Sequence, residues 1–306
     1  MADLFNFRIG EASPANTFFA IWMAKDAGLY EAYRLKPEIV KVVGGKDSGP
    51  DLASGKIHLM HIGMSSVVRA NAAGGNIVTV GSLSNIIRNT MFVAPGISSP
   101  ADLKGKKFGI SSLGSETDPT TTLALRRLGL SRDDVTIVEI GTVRLEAVRT
   151  GDVAASLMGE PTRSQAMSLG LKAMVDLYAD HTPWLYSGLV VHRDFLKGNR
   201  KQVLAFLKAT VEGNYLAVSN EKRAKTVLAR ELGLTDQKFI DISYANFKAE
   251  TPMNAEMTLE GAKNIIDIVA VPPASRDPAA YMDDTLHSEL EAEGFFSKMR
   301  AKYLGT

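Results

Sequence analysis

The chain has 306 residues, a formal net charge of +1, 45% hydrophobic and 23% charged residues, and no cysteine. That is enough chain for two α/β domains and too apolar for a disordered one. The spread basic residues exclude the concentrated footprint of a nucleic-acid binder, and the lack of cysteine excludes disulfides, thiolate metal sites and cysteine nucleophiles.

No apolar run approaches the ~20 residues that a membrane span needs. Met1-Ala2-Asp3-Leu4-Phe5-Asn6 has no basic region, apolar stretch or cleavage site. Two locations are therefore open. A removed leader implies a periplasmic or membrane-tethered protein; a native start at Met1 implies a cytoplasmic one.

Phe5 to Ile9 alternates, which predicts a strand, and a loop follows from Gly10 to Thr17. Phe18 to Ala27 has helical spacing, with Phe19, Met23 and Ala27 on one face and Gly28 as its stop. Then come a strand from Pro37 to Val43, a short helix near Pro50 to Ser54, and a strand from Ile57 to Ile62. A helix from Ser65 to Ala73 and a strand from Ile77 to Leu83 close the first unit.

A second unit opens with a strand from Met91 to Ala94 and a short helix from Pro100 to Leu103. A strand from Lys107 to Ile110 leads through the loop Ser111 to Thr117 into a helix ending at Leu128. Val135 to Ile140, a helix from Arg144 to Thr150 and a strand from Val153 to Leu157 follow. Ser54-Gly55-Lys56-Ile57 to Gly63 matches Thr150-Gly151-Asp152-Val153 to Gly159 in layout, so the two βαβαβ units have similar topology.

After a strand from Gly188 to Val191 the chain becomes helical, with stripes through Val203 to Val218, Ala224 to Leu232 and Ala262 to Val269. These helices have no sheet of their own and are expected to pack onto the first unit. The expected fold is α/β: two βαβαβ-type lobes joined by a two-segment hinge, with a ligand cleft between them. Lobe I takes residues 1–87 and 189–306; lobe II takes 88–188.

Asp102-Leu103-Lys104-Gly105-Lys106-Lys107-Phe108-Gly109-Ile110-Ser111 resembles a stretch of the nitrate/sulfonate/taurine-type solute-binding proteins of ABC importers. Ala24-Lys25-Asp26-Ala27-Gly28-Leu29-Tyr30-Glu31, the Gly114-Ser115 turn, Thr150 to Ala155 and Val191 to Leu196 are similar to that family in the same order. The resemblance implies a periplasmic-binding-protein fold of the second type. It implies a substrate-binding protein that captures a small polar solute by hinge closure, with ABC-transporter membrane subunits as partners and no cofactor. It leaves the solute open, since the family includes binders of sulfonates, nitrate, bicarbonate and thiamine-type pyrimidines and a few enzymes. An anionic organic solute is expected if Arg88 and Arg144 reach the cleft.

In open α/β sheets ligands sit beyond the carboxyl ends of the strands, at helix N-termini. Four loops qualify. They supply Ser13 and Asn16; Gly63, Met64 and Ser65; Ser112, Gly114, Ser115, Glu116 and Thr117; and Glu160. Ser65 and Ser115 are also good helix caps, and Ser115 with Asp118 has capping-box spacing. Trp184 and Tyr186, before the second crossing, are aromatic cleft candidates, whereas Trp22 reads as core. Arg88 and Arg144 suit an anionic ligand, with Ser84 and Asn85 as neutral alternatives.

Gly44-Gly45-Lys46-Asp47-Ser48 lacks phosphate-loop spacing, and no serine sits in a nucleophile elbow. His58 and His61, three apart on a strand, point to opposite faces and cannot share a metal ion. Two alternatives stay open: an enzyme on this fold, such as an aromatic-acid decarboxylase using Glu116 or Glu160 as acid/base, and a cytoplasmic ligand sensor.

Overall fold

In the computed structural model, residues 4–12, 15–42, 48–270 and 272–305 are described. The chain runs β1 (Phe5–Glu11), α1 (Phe19–Asp26), α2 (Leu29–Ala32), β2 (Leu35–Lys41), α3 (Ser48–Ala53), β3 (Leu59–Ile62), α4 (Met64–Ala72) and β4 (Ile77–Ile86). It continues with β5 (Thr90–Val93), β6 (Lys107–Ile110), α5 (Thr117–Arg127), β7 (Thr136–Glu139), α6 (Arg144–Thr150), β8 (Ala155–Met158), α7 (Thr162–Ser168) and β9 (Lys172–Asp176). The last part is β10 (Pro183–His192), α8 (Arg193–Gly198), α9 (Arg200–Ser219), α10 (Glu221–Leu232), α11 (Gln237–Glu250), α12 (Leu259–Val269), α13 (Thr285–Ala292) and α14 (Phe295–Leu304).

These strands form two five-stranded sheets, ordered β2-β1-β3-β10-β4 and β7-β6-β8-β5-β9. The two-lobed α/β fold read from the sequence is present. The sheets are mixed, however, where the repeated βαβ pattern implied parallel ones. β1, β2 and β3 are parallel, but β10 is antiparallel to both of its neighbours. In the second sheet β5 plays the same part, between β8 and β9. The cause lies in the crossings: β5 and β10 each enter their sheet from the other lobe, so they run away from the cleft while β1 and β3 run towards it.

The return to the first sheet is also earlier than expected. β10 begins at Pro183 rather than Gly188, which puts Trp184 and Tyr186 on a strand of the first sheet. Between Pro183 and Ser187 the ladder advances four residues on β10 against two on β4, from Ile86 to Ser84. Such a bulge frees side chains from the regular pleat and re-aims them. Trp184 and Tyr186 lie inside it.

The late helices pack onto the first lobe as expected. Phe206 of α9 stacks on Phe7 at 5.2 Å and on Tyr30 at 5.5 Å. α14 lies on α9, and α12 lies on β10 and α4. The stripe on α9 therefore completes the core beneath β1, and Trp22 is core as read, 3% exposed and 5.4 Å from Phe18. The helix α11, which has little apolar contrast, packs on α10 and reaches α7 of the second lobe.

Candidate functional site: the interlobe cleft

The N-terminus of α4 has free backbone N–H groups, and no side chain of its own turn caps it. The cap comes from the other lobe. The Ser65 backbone N–H donates to Glu116 Oε1 at 3.0 Å and the Ser65 hydroxyl to Oε2 at 2.9 Å. The Trp184 indole N–H donates to the same Oε2 at 2.6 Å. Gly63 is required here, since a Cβ at that position would overlap the Glu116 carboxyl group. Two further links flank the carboxylate: the Ser66 hydroxyl donates to Gly114 O at 2.8 Å, and Arg69 pairs with Asp118 at 3.0 Å.

Burial pushes Glu116 up to about 7, opposed by the hydrogen bonds from Trp184 and Ser65 and by the Arg69 charge. A carboxyl whose pKa is raised in the folded form stabilises that form fully below its ordinary 4.5, and the contribution is lost as pH rises through about 7. Thermal unfolding is therefore expected at a higher temperature at pH 5 than at pH 8, and Glu116→Gln should remove this residue's share of the slope. A Glu116→Gln profile parallel to the native one would contradict the assignment.

The hinge side of the cleft is built on the first crossing. Arg88 is 6% exposed, and its Nη2 lies 2.6 Å from Glu250 Oε2 of α11. That nitrogen is paired with the carboxylate, while Arg88 Nη1 and Asn89 Nδ2 have no hydrogen-bond acceptor among the described residues. Asn89 Oδ1 accepts from the Tyr186 hydroxyl at 2.6 Å. Burial pushes that hydroxyl up to about 12; the Glu116 charge adds to this, while Arg144, the Asn89 hydrogen bond and Arg88 oppose it. Tyr186 thus stands within electrostatic reach of Glu116, Arg88 and Arg144.

The sequence-derived candidates divide accordingly. Gly63, Ser65, Glu116, Arg88 and Tyr186 converge on the cleft, and Met64 is the buried first residue of α4. Ser65 is not the cap of α4 but receives one, because the partner carboxylate comes from the other lobe. Gly114 faces α4 through its carbonyl. Ser115 turns inward instead, donating to Ser112 O at 2.7 Å and meeting Thr117 Oγ1 at 2.9 Å. The capping-box expectation is corrected too, since Asp118 accepts from Gly114 N rather than from Ser115.

Arg144 is held by two carbonyls, Leu157 O at 3.1 Å and Gly141 O at 2.6 Å. Glu160 caps its own helix, accepting from Ser164 N at 3.2 Å, beside Arg163. Ser84 and Asn85 brace the end of β4, and Asn16 Nδ2 ties its turn to Ser243 O of α11 at 2.9 Å. Ser13 lies outside the described residues.

Ser66, Arg69 and Asp118 at the interlobe contact, and Asn89 and Glu250 at the hinge, were not among the sequence-derived candidates for these positions. Asn89 carried a signal, because it adjoins Arg88 in the crossing. His58 and His61 behave as packed groups: His58 stacks on Phe195 at 4.9 Å, and burial lowers His61 to about 4. A groove of about 500 Å³ lined by Glu221, Lys225, Asp241, Tyr244, Ala245, Lys248 and Ala249 lies between α10 and α11, and none of the cleft residues lines it.

Residues 15–224 match the family described as NMT1/THI5 like, and the chain belongs to that family. A protein of Brucella abortus (strain 2308), named only as a binding protein, is 23% identical over 244 residues, 78% of this chain and 72% of the relative. Among solved structures, a protein of Bordetella bronchiseptica RB50 superposes with a TM-score of 0.81 at 18% identity, covering 94% of this chain and 97% of the other. The periplasmic aliphatic sulphonate binding protein SsuA of Escherichia coli gives 0.71 at 22% identity, covering 94% and 100%. The shared fold is the two-lobed periplasmic-binding-protein form, in agreement with the resemblance read from the sequence.

Proposed function

We propose that this member of the NMT1/THI5 like family is the substrate-binding protein of an ABC importer, capturing a small organic solute that carries an acid group. One observation carries the acid: among the described residues the buried Arg88 Nη1 and Asn89 Nδ2 groups have no acceptor, beside the Tyr186 hydroxyl. A buried donor left unpaired costs ~1–3 kcal/mol, and a carboxylate or sulfonate brought by the solute would satisfy several at once. In this reading lobe I comprises residues up to 87 and from about 183 onward, and the two crossings form the hinge. Solute contacts to both lobes favour closure, since only a difference in affinity between the open and closed forms shifts their balance. Membrane subunits of the importer recognise the closed form, outside the cytoplasm.

A thermal-shift screen of small carboxylates, sulfonates, aromatic acids, pyrimidines and amino acids tests this. At a thousand times its Kd an acid adds ~4 kcal/mol to stability. A hit recovered chemically unchanged supports a transport receptor. Stabilisation by none of the acids contradicts the reading. A hit consumed on incubation supports the second reading, in which Glu116, with a pKa of about 7, works as acid/base in an enzyme such as a decarboxylase.

A further inference from the structure

The cleft has two places suited to an acid group. One is the hinge side, where Arg88 and Asn89 are 6% and 1% exposed; Arg88 Nη2 pairs with Glu250, and Arg88 Nη1 and Asn89 Nδ2 have no acceptor among the described residues. The other is the N-terminus of α4, and it is filled. The carboxylate of Glu116 takes the Ser65 N–H, the Ser65 hydroxyl and the Trp184 indole N–H, at 3.0, 2.9 and 2.6 Å. The glycine at position 63 leaves room for it. A helix N-terminus that holds one carboxylate repels a second.

We infer that Glu116 is a specificity-determining residue, a tethered carboxylate that occupies the α4 N-terminus and restricts the cleft to solutes with a single acid group. The inference rests on the acid-capturing function proposed above and names its substrate class. Tyr186 lies within electrostatic reach of both Glu116 and Arg88, so the two places share one stretch of the cleft. A diacid that reaches from one place to the other would bring its second charge against Glu116. A solute with a neutral far end would meet no such opposition.

The charged and titratable groups that face Glu116 are few. Arg69 on α4 shares its charge with Asp118 on α5, to which Arg132 also pairs at 2.7 Å. Tyr186 on β10 faces it from the hinge side, with Arg144 and Arg88 beyond. Since Glu116 is pushed up to about 7, lowering the pH neutralises it, and the opposition to a second anion weakens.

Isothermal titration of the intact chain with propane-1-sulfonate and propane-1,3-disulfonate at pH 8 tests the inference, because neither probe titrates in the working range. The native protein is expected to prefer the monosulfonate by about tenfold or more. In Glu116→Gln the preference should shrink to about threefold or less, and in the native protein at pH 5.5 it should shrink likewise. Glu116→Gln should show no difference between the two pH values. If that variant does not fold, as judged by circular dichroism, the native pH profile decides alone. A preference unchanged by both the substitution and the pH overturns the inference and leaves the acid-capturing function standing. Failure of both probes and of every acid in the screen to bind either protein overturns the two together.

Discussion

Arg88→Ala is expected to lower the free energy of unfolding by about 3–5 kcal/mol, measured by chemical denaturation, and to abolish binding of acids. Arg88 and its partner Glu250 are both 6% exposed in their side chains. Removing the guanidinium leaves a buried carboxylate that burial already pushes upward, with the Glu160 charge adding to this and the charges of Arg88 and Arg163 opposing it. The Tyr178 hydroxyl, which donates to Glu250, cannot supply the missing charge.

Most of this cost is the stranded charge, not the worth of the pair. Replacing both partners by apolar residues of similar volume, Arg88→Met with Glu250→Leu, is therefore expected to recover most of the stability. Binding should not return with it, because the guanidinium N–H groups are gone. A loss under about 1 kcal/mol in the single variant would show that the pair is solvated. Recovery of binding in the double variant would remove Arg88 from the solute's contacts.

Much of the fold was legible because its signals are local. The strand Lys107–Ile110 and the helix Arg144–Thr150 have the bounds that periodicity predicted. Gly28 and Gly233 stop or flank their helices with φ of 68° and 65°, the left-handed turn glycine accepts most easily. What was missed lacks such contrast. α11 buries Ile240, Ser243, Tyr244 and Phe247, a stripe at helical spacing in which two members carry hydroxyls and so blur the apolar pattern. β9 is an edge strand with exposed Lys172 and Ala173, without alternation to reveal it. α7 is a seven-residue helix that buries only Ser164 and Ala166.

The site was half legible for a related reason. The residue types at strand ends pointed to Ser65, Glu116 and Arg88, and the aromatics before the second crossing to Tyr186. No local rule says that the cap of α4 comes from a residue 51 positions away on the other lobe, since the sequence around Ser65 looks the same whether its cap is near or distant. The inward turn of Ser115 was hidden similarly. Its hydroxyl has three partners within its own loop, Ser111, Ser112 and Thr117, and the short loop satisfies it before any solute can.

Trp184→Ala is expected to lower stability by about 3–5 kcal/mol, because the side chain is 1% exposed and packs in a cluster whose members come from both lobes. Trp184→Phe separates the two contributions of the indole. Phenylalanine keeps most of the buried area but leaves Glu116 without the N–H now 2.6 Å away. Removing a donor to a charged acceptor costs ~1.5–3 kcal/mol when the acceptor is ionised. Below pH 7 the carboxyl takes up a proton and can accommodate the loss more easily, so the Phe variant should lie further below the native protein at pH 8 than at pH 5. The Ala variant should show the same pH dependence on top of a larger, pH-independent deficit from the cavity. An equal deficit at both pH values for Trp184→Phe would mean that the indole acts by packing alone. The carboxylate of Glu116 would then be held by Ser65 without help from β10.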